Sequence, residues 1–129
     1  MEEMREDRRG RILMIRRSSE KEVNRYEHKF GADGFITVRS LINSDDELNG
    51  KGRVFAHTTV LPGSGIGYHV HKGDTEIYYI YKGKGEYNDN GVITTVEAGD
   101  VTFTPSGTGH GIKNTGSEPL ELIALIIYS

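Results

Sequence analysis

From Phe35 onward, apolar and polar residues alternate with a period near two, and no long stretch repeats with the 3.6-residue period of a helix. Segments 35–42 (FITVRSLI), 53–61 (RVFAHTTVL), 76–83 (EIYYIYKG), 84–89 (KGEYND), 91–99 (GVITTVEAG), 101–105 (VTFTP) and 120–128 (LELIALIIY) are short and rich in β-branched or aromatic residues, so each reads as a strand. Turn residues separate them: Pro62-Gly63, Asn90-Gly91, Ala98-Gly99-Asp100 and Asn114-Thr115-Gly116. Asp89-Asn90-Gly91 predicts a tight hairpin, because a primed two-residue turn needs positive φ at both central positions. Residues 44–50 predict one helical turn, with Ser44 and Glu47 at capping-box spacing and Gly50 as the stop. Many short strands punctuated by seventeen glycines predict an all-β sandwich or barrel. Phe55, Leu61, Ile80, Phe103, Ile112, Leu122 and Ile123 are expected as its core or cavity wall.

The first 34 residues break the pattern. Residues 1–30 hold nine Lys/Arg and seven Asp/Glu, against seven and twelve in the remainder. We therefore expect a charged leader and arm over 1–34 and a single domain over 35–129. Met14 is an alternative start, so no function is read into residues 1–13. Arg16 and Arg17 are expected as surface charges, and His28 as a surface histidine. The net charge of −3 gives no footprint for nucleic acid. No apolar run approaches a membrane span and no secretory signal is evident, which predicts a cytoplasmic protein with no membrane partner. The chain has no cysteine, which excludes disulfides, thiolate metal sites and cysteine nucleophiles.

Chemistry concentrates in GYHVHKGDTEIYYIYKG, residues 67–83. On a strand, residues i and i+2 share a face, so His69 and His71 project together. Neutral imidazole is the commonest metal ligand, and a strand holds two of them with little entropy left to lose. Glu76 follows a short turn, and a hairpin returns its carboxylate beside the two rings. Two histidines and a carboxylate suit a divalent transition ion with open positions. His110, in the glycine-rich segment 105–114, adds a third imidazole if the sheet closes on itself. A bare His-x-His pair is more often a surface or core feature; the added carboxylate and third ring shift the balance.

These residues also carry a family resemblance. Gly63, His69, His71, Glu76 and Gly83 resemble the first cupin motif, and Gly99, Pro105, Gly107, His110 and Asn114 resemble the second, with a fifteen-residue spacer between. The resemblance spans about 35–128. It implies a double-stranded β-helix (jelly-roll) barrel with one divalent transition metal per chain (Mn, Fe, Ni, Co or Zn, with Mn or Fe favoured) held by His69, His71, Glu76 and His110. It also implies a homodimer; LMIRR (13–17) or VNRYEH (23–28) is expected to pair with a neighbour's sheet edge. Short cupins of this kind resemble oxalate decarboxylases, which predicts an enzyme acting on a small carboxylate, with a dicarboxylate as ligand. In those enzymes an arginine stands three residues before the first metal histidine; here Ile66 stands there, which counts against decarboxylation. A dioxygenase or sugar isomerase, and a binding module without turnover, are the alternatives.

Period two from Glu76 places Tyr78 and Ile80 on its face and Tyr79 and Tyr81 on the other. Tyr78 is therefore the first candidate for a hydrogen-bond donor or acid in the pocket. Tyr68 and Tyr87 are expected to pack. His57 is a candidate base beside the cavity or else a half-exposed strand residue. Arg39 and Arg53 are the strand-borne cations best able to hold an acidic ligand, with Lys113 a further basic residue.

Overall fold

A computed structural model describes residues 5, 6, 8–10 and 12–129; residues 1–4, 7 and 11 of the charged leader lie outside the described residues. The strands are β1 (Arg5–Glu6), β2 (Ile12–Leu13), β3 (Val23–Glu27), β4 (Phe35–Ser40), β5 (Gly52–Val60), β6 (Gly65–Val70), β7 (Asp74–Lys82), β8 (Lys84–Asp89), β9 (Val92–Glu97), β10 (Val101–Thr104), β11 (Gly109–Lys113) and β12 (Leu120–Tyr128). β1 and β2 pair with each other. A six-stranded sheet in the order β10-β7-β12-β5-β4-β3 faces a four-stranded sheet in the order β6-β11-β8-β9. Every pairing is antiparallel, and the two sheets make a jelly roll.

Alternation along the three nine-residue strands decides what lies between the sheets. On β5, Ala56, Thr58 and Val60 are buried; on β7, Asp74, Glu76, Tyr78 and Ile80; on β12, Leu120, Leu122, Ala124 and Ile126. Val60, Ile80, Leu120 and Leu122 have no exposed surface. Each such aliphatic side chain contributes about 1.5–3 kcal/mol of transfer free energy. Ile112 of β11 and Tyr87 of β8 close the core from the other sheet.

The parity expected from Glu76 is therefore the one observed, but four core expectations fail. Phe55, Leu61 and Phe103 are 37%, 37% and 63% exposed. The inward residue of β5 is the even one, so Phe55 must point out, and the same alternation turns Phe103 out between buried Thr102 and Thr104. Ile123 is half-buried on the outward face of β12.

Asn90 and Gly91 both have positive φ, 50° and 98°, and join β8 to β9 in the expected tight hairpin. Residues Asp45–Leu48 form a 3₁₀ turn, but Ser44 makes no capping hydrogen bond. Glu47 instead accepts from the Asn43 backbone N–H at 2.9 Å and pairs with Arg16 at 2.5 Å. Arg16, expected at the surface, is thus a clamp: it also donates to the Leu41 carbonyl at 2.6 Å. Within the arm, Val23–Glu27 pairs with β4 of its own chain and forms the edge of the larger sheet.

Candidate metal centre

His69, on β6, and His71, just past its end, reach the interior together with Glu76 of β7 and His110 of β11. Their approach depends on a bulge. β11 pairs β6 with His110 opposite His69 and Ile112 opposite Ile66, so Gly67 and Tyr68 face the single residue Gly111. The extra residue resets the alternation and lets both Ile66 and His69 look inward. Gly67 serves a second purpose. A Cβ there would fall 1.9 Å from the Phe30 carbonyl oxygen, so only glycine lets the 28–32 turn lie on β6.

The ligand atoms converge. His71 Nε2 and His110 Nε2 are 3.2 Å apart, as are His110 Nε2 and His69 Nε2. Glu76 Oε1 lies 3.0 Å from His71 Nε2, 2.9 Å from His110 Nε2 and 3.8 Å from His69 Nε2. Neighbouring ligands on an octahedral ion at ~2.1 Å lie ~3.0 Å apart. The spacing therefore fits one small cation better than a set of pairwise hydrogen bonds, since two ring nitrogens facing each other have one proton to share at most.

The far side of each ring fixes its orientation. His69 Nδ1 meets the Gly67 carbonyl at 2.8 Å, and His71 Nδ1 meets Asp74 Oδ1 at 2.7 Å. His110 Nδ1 lies 2.9 Å from both the Tyr87 and Thr104 hydroxyls. With Nδ1–H donating outward, all three Nε2 lone pairs point at the same place, beside a carboxylate. Arg53 Nε in turn donates to Asp74 Oδ2 at 3.0 Å. Burying such a set unpaired costs several kcal/mol, and a cation relieves it.

The electrostatics agree. Burial alone would raise the Glu76 carboxyl, but in the metal-free chain protons held on the facing imidazole nitrogens, His110 first, outweigh it and hold the group down at about 2. Burial lowers His110 below its ordinary range, only partly offset by Glu76, which favours the neutral ligand form. Burial and then the Glu76 charge raise the Tyr78 phenol well above its usual range, so it keeps its proton. Tyr78 stacks on His110 with centroids 4.8 Å apart.

A cavity of about 320 Å³ opens from the His69, His71 and Glu76 side chains and is also lined by Tyr78, Ile66 and Arg53. Phe30 covers it, stacked on His69 at 4.0 Å between centroids, from a turn in which His28 and Phe30 both have left-handed φ near 50°.

Of the sequence-derived candidates, the four candidate ligands and Tyr78 share this interior. His57 does not. Thr58 is the inward residue of its strand, so His57 points to the opposite face, where it meets Glu121 at 3.0 Å and the Tyr81 hydroxyl at 2.6 Å. Arg39 is also on that outward face, bonded to Thr59 at 3.0 Å. The sequence reading passed over Asp74, Thr104, Phe30 and the Tyr87 contact with His110. Asp74 was findable, because it sits two residues before Glu76 and so on the same face. Phe30 leaves no local signal, because its position comes from how the arm packs on β6.

A jelly roll with three imidazoles and one carboxylate gathered inside defines a class: a barrel protein with an internal site that can hold a metal. The chain belongs to the cupin family, whose Cupin domain matches residues 56–128. It is 43% identical over 114 residues to an oxalate-binding protein of Thermotoga maritima, covering 88% of this chain and 93% of that one. A crystal structure described as a predicted oxalate decarboxylase from Thermotoga maritima superposes with a TM-score of 0.85 at 42% identity, covering 90% of this chain and all of that one (100%). An uncharacterized protein of Methanocaldococcus jannaschii is 33% identical over 91 residues, 70% of this chain and 71% of that one.

Proposed function

We propose that this cupin binds one divalent transition ion per chain through His69, His71, Glu76 and His110 and uses it to hold a small carboxylate, with manganese or iron as the favoured ion. The observation that carries the reading is the convergence of three Nε2 atoms and a Glu76 oxygen at 2.9–3.8 Å, each ring turned by a partner on its far nitrogen. Bound there, the ion supplies Lewis acidity toward carboxylate oxygens. The chain's own residues do the rest. Asp74 orients His71, Tyr78 offers a protonated hydroxyl beside the ligands, and Arg53 and Lys29 at the cavity mouth favour an anion. The oxalate-binding relative supports the ligand class.

Turnover is the second reading, favoured by the neighbour described as a predicted oxalate decarboxylase. Against it stands Ile66, 8% exposed and lining the cavity where an arginine would pair with the substrate. The assembly we expect is a homodimer. Tyr79, Val101 and Phe103, 46%, 47% and 63% exposed on the outward face of the larger sheet, would offer a second copy an apolar surface.

Elemental analysis of protein purified without affinity metal should find close to one ion per chain. Oxalate titrated calorimetrically into loaded and stripped protein should bind only when the ion is present. Oxalate binding that survives stripping sinks the proposal. Screening the loaded protein for decarboxylation and oxygen uptake decides between enzyme and binding module.

A further inference from the structure

Oxalate is two carboxylates back to back and has no apolar surface. The cavity beside the candidate ligands is a poor match for it in two ways. Its volume, about 320 Å³, lies in the range that takes a larger organic ligand. Its walls beyond the ligands are mainly aliphatic, contributed by β4, β5, β6 and β12.

The space has a specific origin in the sequence. Ala56 and Ala124 stand directly opposite each other on β5 and β12, both inward-facing, 2% and 5% exposed. Ala124 is also the cross-strand partner of Tyr78, and the next inward residue, Ile126, pairs with Glu76. The rows on either side carry larger side chains, Thr58 with Leu122 and Val54 with Ile126. A pair of alanines therefore hollows the sheet beside the candidate ligands, and Ile66 faces the same space from the other sheet.

We infer that the ligand is a carboxylate with an adjacent chelating oxygen and an apolar tail, a 2-oxo or 2-hydroxy acid, whose head meets the ion and whose tail lies in the hollow made by Ala56 and Ala124. The inference rests on the metal-site reading above. Lys29 lines the cavity and Arg53 is already paired with Asp74, which leaves one cation for the single negative charge of such a head. The tail displaces water from aliphatic walls, which improves affinity about fourfold for each methylene buried.

The test is calorimetric titration of manganese(II)-loaded protein with oxalate, pyruvate, 2-oxobutyrate and 2-oxohexanoate, after metal binding has been measured alone. Affinity should tighten along the oxo-acid series, on the order of fiftyfold from pyruvate to 2-oxohexanoate. Ala56→Leu and Ala124→Leu fill the hollow, and each should cut the ratio of 2-oxohexanoate to pyruvate affinity at least tenfold. Metal loading of the variants checks that the site persists; should one fail to load, the other carries the comparison, and the wild-type series stands without either. A flat or declining series with metal and oxalate both bound overturns this inference and leaves the metal site intact. Failure to bind either manganese(II) or iron(II) overturns both.

Discussion

A group of histidine, carboxylate and tyrosine lies against each face of the larger sheet, the inner one drawing its imidazoles from the smaller sheet and the loop after β6, and the two behave differently. Inside, His71, His110 and His69 aim three ring nitrogens and the Glu76 carboxylate at one point, while Asp74, Tyr87, Thr104 and Gly67 take the outer nitrogens. Outside, His57 has a single ring nitrogen held between Glu121 and Tyr81, and Thr59 and Arg39 complete the network. The residue types are nearly the same. What separates them is saturation: the outer group pairs its donors with acceptors, whereas the inner group presents converging lone pairs that only a cation or a proton can satisfy. Titratable residues close together do not make a site; the direction of their unused valences does.

This contrast can be broken most forcefully at His71. His71→Ala should lose most of the bound metal and with it the stabilisation the ion provides, about 2.7 kcal/mol when free metal stands at a hundredfold its dissociation constant. Thermal unfolding with and without metal reads this directly, and the variant should show almost no metal-induced shift. Asp74→Asn leaves the inner ligands in place but weakens the partner that fixes the His71 ring, and should cost 10–100-fold in metal affinity. His57→Ala on the outer face should leave metal affinity unchanged and cost about 1 kcal/mol through the lost hydrogen bonds. Equal metal loss in the inner and outer histidine variants would erase the distinction.

Acid provides a subtler probe. Burial depresses His110 below its ordinary value of 6.5, so the folded, metal-free chain binds fewer protons there than the unfolded one. The corresponding stability is full above 6.5 and is lost as pH falls toward the depressed folded value. Glu76, held at about 2 against an ordinary 4.5, contributes fully above 4.5 and loses its contribution as pH falls through about 2. The unfolding midpoint of metal-free protein should therefore start to fall below pH 6.5 and fall further under pH 4.5. His110→Asn should flatten the first part of that decline.

Much of the inner group was legible in the sequence because strand alternation is strict. Glu76 fixes the inward side for Tyr78 and Ile80, and the two spaced motifs imply that His110 returns beside His69, His71 and Glu76. The outer face was less legible. β5 is apolar at Phe55 as well as at Val54 and Ala56, so alternation alone could not say which row faces in, and His57 and Phe55 were both open to the wrong side. The bulge at Gly67-Tyr68 and the packing of Phe30 over His69 come from contacts between segments far apart in the chain. No local pattern encodes them. The Arg16 clamp on Glu47 has the same cause: a charged residue in a charged arm looks solvated until a loop 31 positions away supplies its partner.

The most direct measurement is the X-ray absorption spectrum of the manganese- or iron-loaded protein. The account predicts three imidazole nitrogens with their ring scattering and carboxylate oxygen at ~2.1 Å, and loss of one imidazole in His110→Asn. A spectrum with oxygen neighbours alone, unchanged by that substitution, would contradict it.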